Sequence, residues 1–388
     1  MTQDAVIVAA LRTPVGRRGG VLADVHPVEL GAAVLRAIQE RTGIDPALVD
    51  DVIWGCVTQA GEQAVNVGRS TTLVAGWPEG VPATTVDRQC GSSQQAVHFA
   101  AAGLVAGHYD LVVAGGVESM SRVPMGAAMT EGTYGSALLD RYAAALEAQW
   151  ATTFNQGLGA ENIATKWGLS RQQQDEFALA SHAKAAAAAD SGAFDEQLVA
   201  VTRPDGVVVE ADEGIRRGGT VESMAALRPA FHPDGSVTAG NASQISDGAA
   251  ALLMTTSARA ADLGLTPLAR VHSVAVVGDD PVIMLTGPIP ATAKVLARSG
   301  LTLADLGTYE VNEAFASVPL AWLAEIGADP GRLNPHGGAI ALGHPLGASG
   351  ARLMTDLVHG MRASGVRYGL QTMCEGGGMA NATILERL

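Results

Sequence analysis

"LVDDVIWGCVTQ" (48–59) and "LADLGTYEVNEA" (303–314) follow one plan: a short helix end, a strand, then a polar turn. Some 33 to 35 residues later each copy reaches a turn of glycine and small residues that opens a helix. In the first copy that turn carries Cys90, within "TTVDRQCGSSQQAV" (84–97); in the second it is "GHPLGASGARLM" (343–354). Both helices lead into strands ending in glycine, "LVVAGG" and "LQTMCEGGG". Self-similarity of this kind predicts two halves of like topology. It would bring Cys90, His344 and Cys374 onto corresponding, facing edges.

The rest of the chain supports an α/β reading. "AVIVAAL" (5–11) reads as a buried strand, "HPVELGAAVLRAIQERTG" (26–43) as a helix stopped by glycine, and "VDDVIWGCV" (49–57) as a strand. "SSQQAVHFAAAGLVAG" (92–107) reads as a helix capped by serine and closed by glycine, and "DLVVAGG" (110–116) as the next strand. Alternation of this sort places the chain in the α/β class. We expect an N-terminal half at 1–118, completed by 246–268, and a second half at 269–388. Residues 119–245 differ in character. They hold "SMSRVPMGAAM" (119–129), a helical stretch (159–192) with Ser170 as a cap, and a charged, hairpin-like section (201–219). That segment reads as an inserted lid or loop domain, a frequent place for ligand contacts.

Composition narrows the function. Net charge is −14 with no compensating basic run, so no nucleic-acid partner is expected. An anionic ligand would be met by local arginines or helix N-termini. The seven apolar residues of "AVIVAAL" are too few for a signal or a membrane span, so a protein without membrane insertion is expected. Three cysteines (Cys56, Cys90, Cys374) show neither zinc spacing nor an even count, which suggests no metal and a reducing, cytoplasmic setting.

Cys90 stands at a helix entry, where unpaired N–H groups and the macrodipole favour a thiolate and could hold an oxyanion. A nucleophile and a buried structural thiol fit the local sequence equally well; Cys56, in an apolar strand, reads as core. Cys374 precedes three glycines, whose backbone can approach a ligand closely. His344 is followed by proline, so its ring sits in a rigid turn at a helix mouth. His336 lies in a simple loop, and His98 and His182 read as structural. "EVNEAFAS" (310–317) puts Asn312 and Glu313 at the C-terminal end of a strand. There Asn312 could serve an oxyanion, and Glu313 could orient His344 or a water or simply cap the next helix.

Together these motifs resemble the thiolases, acyl-CoA acetyltransferases that make or break a carbon–carbon bond β to a thioester. The resemblance runs from "VIVAALRTPVGRRGG" (6–20) to "TMCEGGGMANATILERL" (372–388), through "DRQCGSSQQA", "VTAGNASQISDGAA" (237–250), "NEAFA" and "GGAIALGHPLGASGAR" in the family order. It implies two similar βαβαβαββ halves in a five-layered α/β/α/β/α core with an inserted loop domain. By motif it makes Cys90 the acylated nucleophile and His344 its base, with Asn312 acting through water in one oxyanion hole. Cys374 becomes the acid/base, and the N–H groups of Cys90 and Gly376 form the second hole. The kinetics would be ping-pong. Coenzyme A and acetyl-CoA are then substrates, with no tightly bound cofactor. Their contacts fall on Arg216, Ser223, Phe231, Ala239, Ser243, Met284 and Phe315.

The resemblance also implies a homodimer or homotetramer, with "SRVPMGAAMTEGTYG" (121–135) in the region of the tetramerisation loop. Asp87, Ser93, Asn155 and Gln156 depart from common family residues. They lean toward degradative, β-oxidation 3-ketoacyl-CoA thiolases, including those for bulky substrates, rather than a strictly acetoacetyl role. Competing expectations are a decarboxylating ketosynthase, which pairs its cysteine with two histidines, and a non-catalytic thiolase-like scaffold. A reversible Cys90–Cys374 redox switch is a third.

Overall fold

Val6–Arg12 (β1) is buried at every position, as an uninterrupted apolar run requires. The structure, a computed structural model, describes residues 3–388. After β1 come Gly16–Arg17 (β2), Pro27–Thr42 (α1), Asp51–Gly55 (β3), Val67–Val74 (α2), Ala83–Val86 (β4), Ser92–Ala106 (α3) and Leu111–Ser119 (β5). The middle of the chain forms Gly135–Glu147 (α4), Gln156–Lys166 (α5), Arg171–Asp190 (α6), the short strands Val201–Thr202 (β6) and Val208–Val209 (β7), and Val221–Ala225 (α7). Ser246–Thr255 (β8) and Ser257–Asp262 (α8) follow. The second half runs through Ala269–Gly278 (β9), Pro288–Ser299 (α9), Leu306–Val311 (β10), Ser317–Ile326 (α10) and Ala339–Leu342 (α11). It ends with Leu346–Ser364 (α12), Tyr368–Glu375 (β11) and Met379–Arg387 (β12).

The strands lie in the order β10-β11-β12-β9-β1-β8-β5-β3-β4, with β2 beside β8. The repeat is visible in this order. In the first half β4, β3 and β5 run parallel and β8 and β1 add antiparallel; β10, β11, β12 and β9 repeat the sense. Among the described residues the strands of the two leaves pair only where Val6 faces Arg270 and Ile7 faces Ala269. A fifth strand was expected in the second half. Among the described residues it is reduced to a bridge between Tyr309 and Leu333. "LNPHGG" after it explains why, since proline gives no ladder donor and paired glycines weaken a strand.

Three apolar clusters define the layers. α1 and α2 cover one face of the first leaf through Leu35, Ile38 and Trp54. α3 and α12 fill the middle, with Val97, Leu104, Met354 and Leu357 touching both leaves. α9 and α10 cover the outer face of the second leaf around Val295, Tyr309 and Trp322. This is the expected α/β/α/β/α stack.

Local signals mostly hold. Gly43 and Gly107 end α1 and α3 in the left-handed conformation, and Ser170 caps α6 in a capping box with Gln173. The single helical stretch at 159–192 is broken into α5 and α6 around Gly168 (φ 62°). The serine cap of α3 does not form: Gly91 is the N-cap, and the Ser92 hydroxyl donates to Gln89 O while accepting Arg88 N–H.

The middle layer depends on backbone approach. A Cβ on Gly350 would lie 2.2 Å from Gln94 N of α3, and one on Gly347 would lie 2.6 Å from Val117 O. Gly360 on the same helix has 3.4 Å of space to its nearest neighbour. Gly350→Ala is therefore expected to lower stability by about 3 kcal/mol or more through overpacking against a main chain that cannot yield. Gly360→Ala should be neutral or raise stability by up to about 1 kcal/mol. Thermal unfolding of the two variants checks both.

Candidate active site

β4 turns sharply into α3 at Asp87–Gly91. Gln89 adopts φ 48°, and its N–H is taken by Asp87 Oδ1 at 2.6 Å, which holds the turn in this uncommon conformation. The departure at Asp87 thus has a local role. The turn leaves Cys90 4% exposed, packed with Met120, Leu346 and Met373. The expected lowering of its pKa is overturned. Burial pushes the thiol up to about 12, Glu375 adds to this, and the N–H groups of Cys90 and Gly376 pull only partly back. Desolvation outweighs the helix terminus in so dry a place. Cys90 therefore rests as a thiol and needs a base.

His344 is shaped to be one. Its Nδ1 lies 2.6 Å from Ser349 Oγ, and that hydroxyl spends its own proton on Pro345 O at 2.8 Å. Nδ1 must then be the donor, which leaves the Nε2 lone pair free. Asn312 Nδ2 faces Nε2 at 3.4 Å. Burial, with the charge of Arg352, pushes His344 down to about 3, so the ring is neutral at ordinary pH. Sequence reasoning missed Ser349, whose only signal is a serine one turn into the helix that follows "GHP".

Cys374 is fully buried and packs with Met284 and Phe315. Burial raises its pKa well above the ordinary thiol value, and negative charge on Cys90 or Glu375 raises it further. The two thiols thus share one electrostatic neighbourhood. Glu313 does not orient His344. Its carboxylate accepts from Ser181 Oγ at 2.6 Å, Asn334 Nδ2 at 2.8 Å and Ile340 N at 3.2 Å, which binds α6 to the second half. Cys56 is buried just past β3, and burial beside Glu118 raises its thiol far beyond reactive range.

A cavity of about 1010 Å³ opens over Cys90 and Gly376. Its walls include Met125, Met129, Tyr134, Leu138, Tyr142 and Phe154 from the middle segment. Of the residues expected at coenzyme A, Phe231, Met284 and Phe315 line it. Arg216, Ser223, Ala239 and Ser243 do not. Arg216 is exposed and gives its N–H to His182 Nδ1, Ser223 completes a cap with Thr220, and Ser243 N–H bonds Ala314 O. His344, Asn312 and Cys374 are buried and do not line the cavity either. Asn155 and Gln156 do, at the start of α5. Among the described residues no helix is long and apolar enough to cross a membrane, and no group of His, Cys, Asp or Glu could hold a metal ion.

Two buried thiols, a neutral imidazole and convergent N–H donors are the parts of an enzyme that moves acyl groups through a covalent thioester. The comparisons narrow the class. Residues 5–258 match the thiolase N-terminal domain and 265–387 the thiolase C-terminal domain. The chain is 50% identical over 391 residues to a steroid 3-ketoacyl-CoA thiolase of Mycobacterium tuberculosis, covering 99% of this chain and 94% of that protein. It is 46% identical to a 3-ketoacyl-CoA thiolase of Pseudoalteromonas translucida, with 99% and 98% covered. It is 44% identical to an acetyl-CoA acetyltransferase of Cupriavidus necator, with 99% of each covered. The crystal structure of the Bacillus anthracis acetyl-CoA acetyltransferase is similar with a TM-score of 0.91 at 40% identity, covering 100% of this chain and 99% of that one. The chain belongs to the thiolase family and is an acyltransferase acting on coenzyme A thioesters.

The tautomer argument gives a direct test. Ser349→Ala frees the His344 ring and should lower kcat by roughly tenfold or more, part of what a positioned base supplies, with KM nearly unchanged. Steady-state thiolysis measures it; an unchanged kcat would refute the assignment of Nε2 as the free nitrogen.

Proposed function

We propose that the enzyme cleaves bulky 3-oxoacyl-CoA by thiolysis, and runs the reverse condensation, through an acyl group on Cys90. The observation that supports the reading is a cavity opening over Cys90 and Gly376, with the Cys374 thiol close enough to feel charge on Cys90. In cleavage, Cys90 Sγ attacks the 3-oxo carbon while its proton passes to His344 Nε2. The C2–C3 bond then breaks, and Cys374 gives its proton to the departing carbanion, releasing acetyl-CoA. The thiol of coenzyme A attacks the acyl-Cys90 thioester and returns a proton to Cys374, and His344 returns its own to Cys90. The N–H groups of Cys90 and Gly376 serve one oxyanion, and Asn312 with His344 the other.

The cavity argues for a long or ring-bearing acyl group. The cavity of about 1010 Å³ has to hold the pantetheine end as well as the acyl group, and the part walled by Met125, Met129, Tyr134 and Leu138 is apolar and adaptable. The steroid thiolase named above, at 50% identity, fits the same size class. In this reading 1–118 with 246–268, and 269–388, are the two catalytic halves, and 119–245 is the loop domain that binds coenzyme A. Phe231, Met284 and Phe315 flank the pantetheine end, and Arg216, Ser223, Ala239 and Ser243 take the outer part of the molecule. A homodimer or homotetramer in the reducing cytoplasm, serving fatty-acid or ring-bearing acyl breakdown, completes the proposal.

Incubation with acetyl-CoA should add one acetyl mass at Cys90, and Cys90→Ala should lose both the adduct and thiolysis; residual thiolysis at wild-type rate would end the mechanism. Ala128→Trp, on the cavity wall, should cut kcat/KM at least tenfold for long or ring-bearing substrates, about the worth of one well-placed bulky clash, while acetoacetyl-CoA changes little. Equal losses across substrates would remove the size argument.

A further inference from the structure

Glu375 closes β11 between Cys374 and Gly376, and the reaction above makes no use of it. Its side chain is fully buried, and neither carboxyl oxygen meets a hydrogen-bond partner. Alternation along β11 turns it away from Cys374 and onto the side of Met373, which packs with Cys90. A Cβ on Gly91 would lie 1.9 Å from Glu375 Oε1 and 2.5 Å from Asn381 Oδ1, so both oxygens crowd one spot at the first turn of α3. Asn381 Oδ1 also has no partner. The Asn381 amide nitrogen is committed elsewhere, to Gln95 Oε1 at 3.3 Å and His98 Nδ1 at 3.2 Å. His98 Nε2 continues the chain to Thr383 Oγ1 at 2.7 Å.

Facing acceptors without a donor between them are costly to bury. One proton on Glu375 removes the conflict, because the acid O–H can then donate to Asn381 Oδ1. The charged and titratable groups around it agree. From the β4–α3 turn come Asp87, Arg88 and Cys90, from α3 the neutral His98, and from its own strand Cys374. Burial pushes Glu375 up to about 9, with Arg88 pulling back and Asp87 pushing further. Arg88 does not pair with it: Nε has no partner and Nη1 lies 3.8 Å from Met379 Sδ.

We propose that Glu375 is a positioning residue that works as a neutral acid bridged to Asn381, and that its ionisation acts as an alkaline brake on Cys90. Neutral, it holds the end of β11, and hence Cys374 and the Gly376 N–H, against the first turn of α3. Ionised, it places a buried negative charge next to the sulfur that must become negative, and it leaves Asn381 Oδ1 facing a carboxylate. The proposal rests on Cys90 being the nucleophile. It adds a stability slope with a fixed sign. The folded state keeps a proton that the unfolded chain releases, so stability falls as pH rises from the ordinary carboxyl value of 4.5 through about 9.

Three readouts test it. Cys90 acetylation by acetyl-CoA, followed by rapid-quench mass spectrometry from about pH 6 to about pH 10, should bend downward near the alkaline end in the wild type. In Glu375→Gln it should keep rising, with neutral-pH rates within about threefold of each other, since the amide keeps a donor for Asn381. Infrared spectra of the wild type should show a protonated carboxyl band at neutral pH that is absent in Glu375→Gln. If that variant fails to fold, Asn381→Leu should shift the same band. Matching downward bends in both proteins, or a carboxyl spectrum that neither substitution alters, would overturn the proposal. A wild type that takes no acetyl group on Cys90 would instead overturn the nucleophile assignment.

Discussion

Gly347 is gripped from two sides, and the geometry of the site follows from that grip. Its N–H donates to Glu118 Oε2 at 2.8 Å, and its Cα packs so closely that an added Cβ would meet Val117 O, Cys56 Cα and Gly55 O within 2.7 Å. Glu118 also accepts Val57 N at 2.9 Å, Thr58 N at 3.0 Å and Gln63 Nε2 at 2.9 Å. One carboxylate of the first half thus ties the first turn of α12, in the second half, to the loop after β3. Burial pushes Glu118 toward its neutral form and these donors pull it back. Charge-assisted bonds of this kind offset much of the cost of a buried charge. His344 stands just before that helix turn and Cys90 just before α3. The spacing of His344 and Cys90 is therefore set by how closely the two halves approach.

Much of this was legible in the chain. The paired strand–turn–helix passages located the two leaves, because apolar runs, glycine stops and caps act within a few residues of one another. Cys90, His344 and Cys374 stood out for the same reason: each sits at a turn with unusual local chemistry. The buried polar partners were hidden. Glu118 meets Gly347 and Ser181 meets Glu313 only after folding, and in each case the residue alone reads as an ordinary surface group. The serine cap of α3 failed because Ser92 falls one residue inside the helix and turns back to Gln89 O. Ser93, another departure, is absorbed between the central helices, where its hydroxyl accepts Ala351 N–H at 2.9 Å.

The largest misreading was electrostatic, and it changes the picture of the resting enzyme. A helix entry favours an anion, but burial as deep as that of Cys90, His344 and Cys374 penalises every charge more strongly. Cys90 and Cys374 are pushed up and His344 is pushed down, so all three rest neutral. In the proposed reaction charge then develops only as bonds change, against backbone N–H groups that carry no counter-charge and need no reorganisation. A thiolate–imidazolium pair waiting in the ground state would need solvation that this site does not offer. Neutral groups also suit a chain of net charge −14, since no fixed anion among them repels an entering thioester.

Chemistry and substrate range are consequently separated in space. Cys90 and His344 sit at the ends of α3 and α12 where these meet the two leaves, and a single added methyl at Gly347 or Gly350 has nowhere to go. The cavity walls are different material. Tyr134 and Tyr142 meet Phe154 edge-on at 5.3 and 5.7 Å, and Met125, Met129 and Leu138 are exposed beside them. The middle segment is braced within itself by the Glu161 carboxylate on Ser236 and Val237 N–H groups and by Arg171 on the carbonyl of Leu227, and it is tied to the second half by Ser181 on Glu313. Side chains on the wall can therefore change size without shifting Cys90 or His344. In a fold whose core tolerates so little, variation in acyl group has to be accommodated in that wall, which Asn155 and Gln156 help to line.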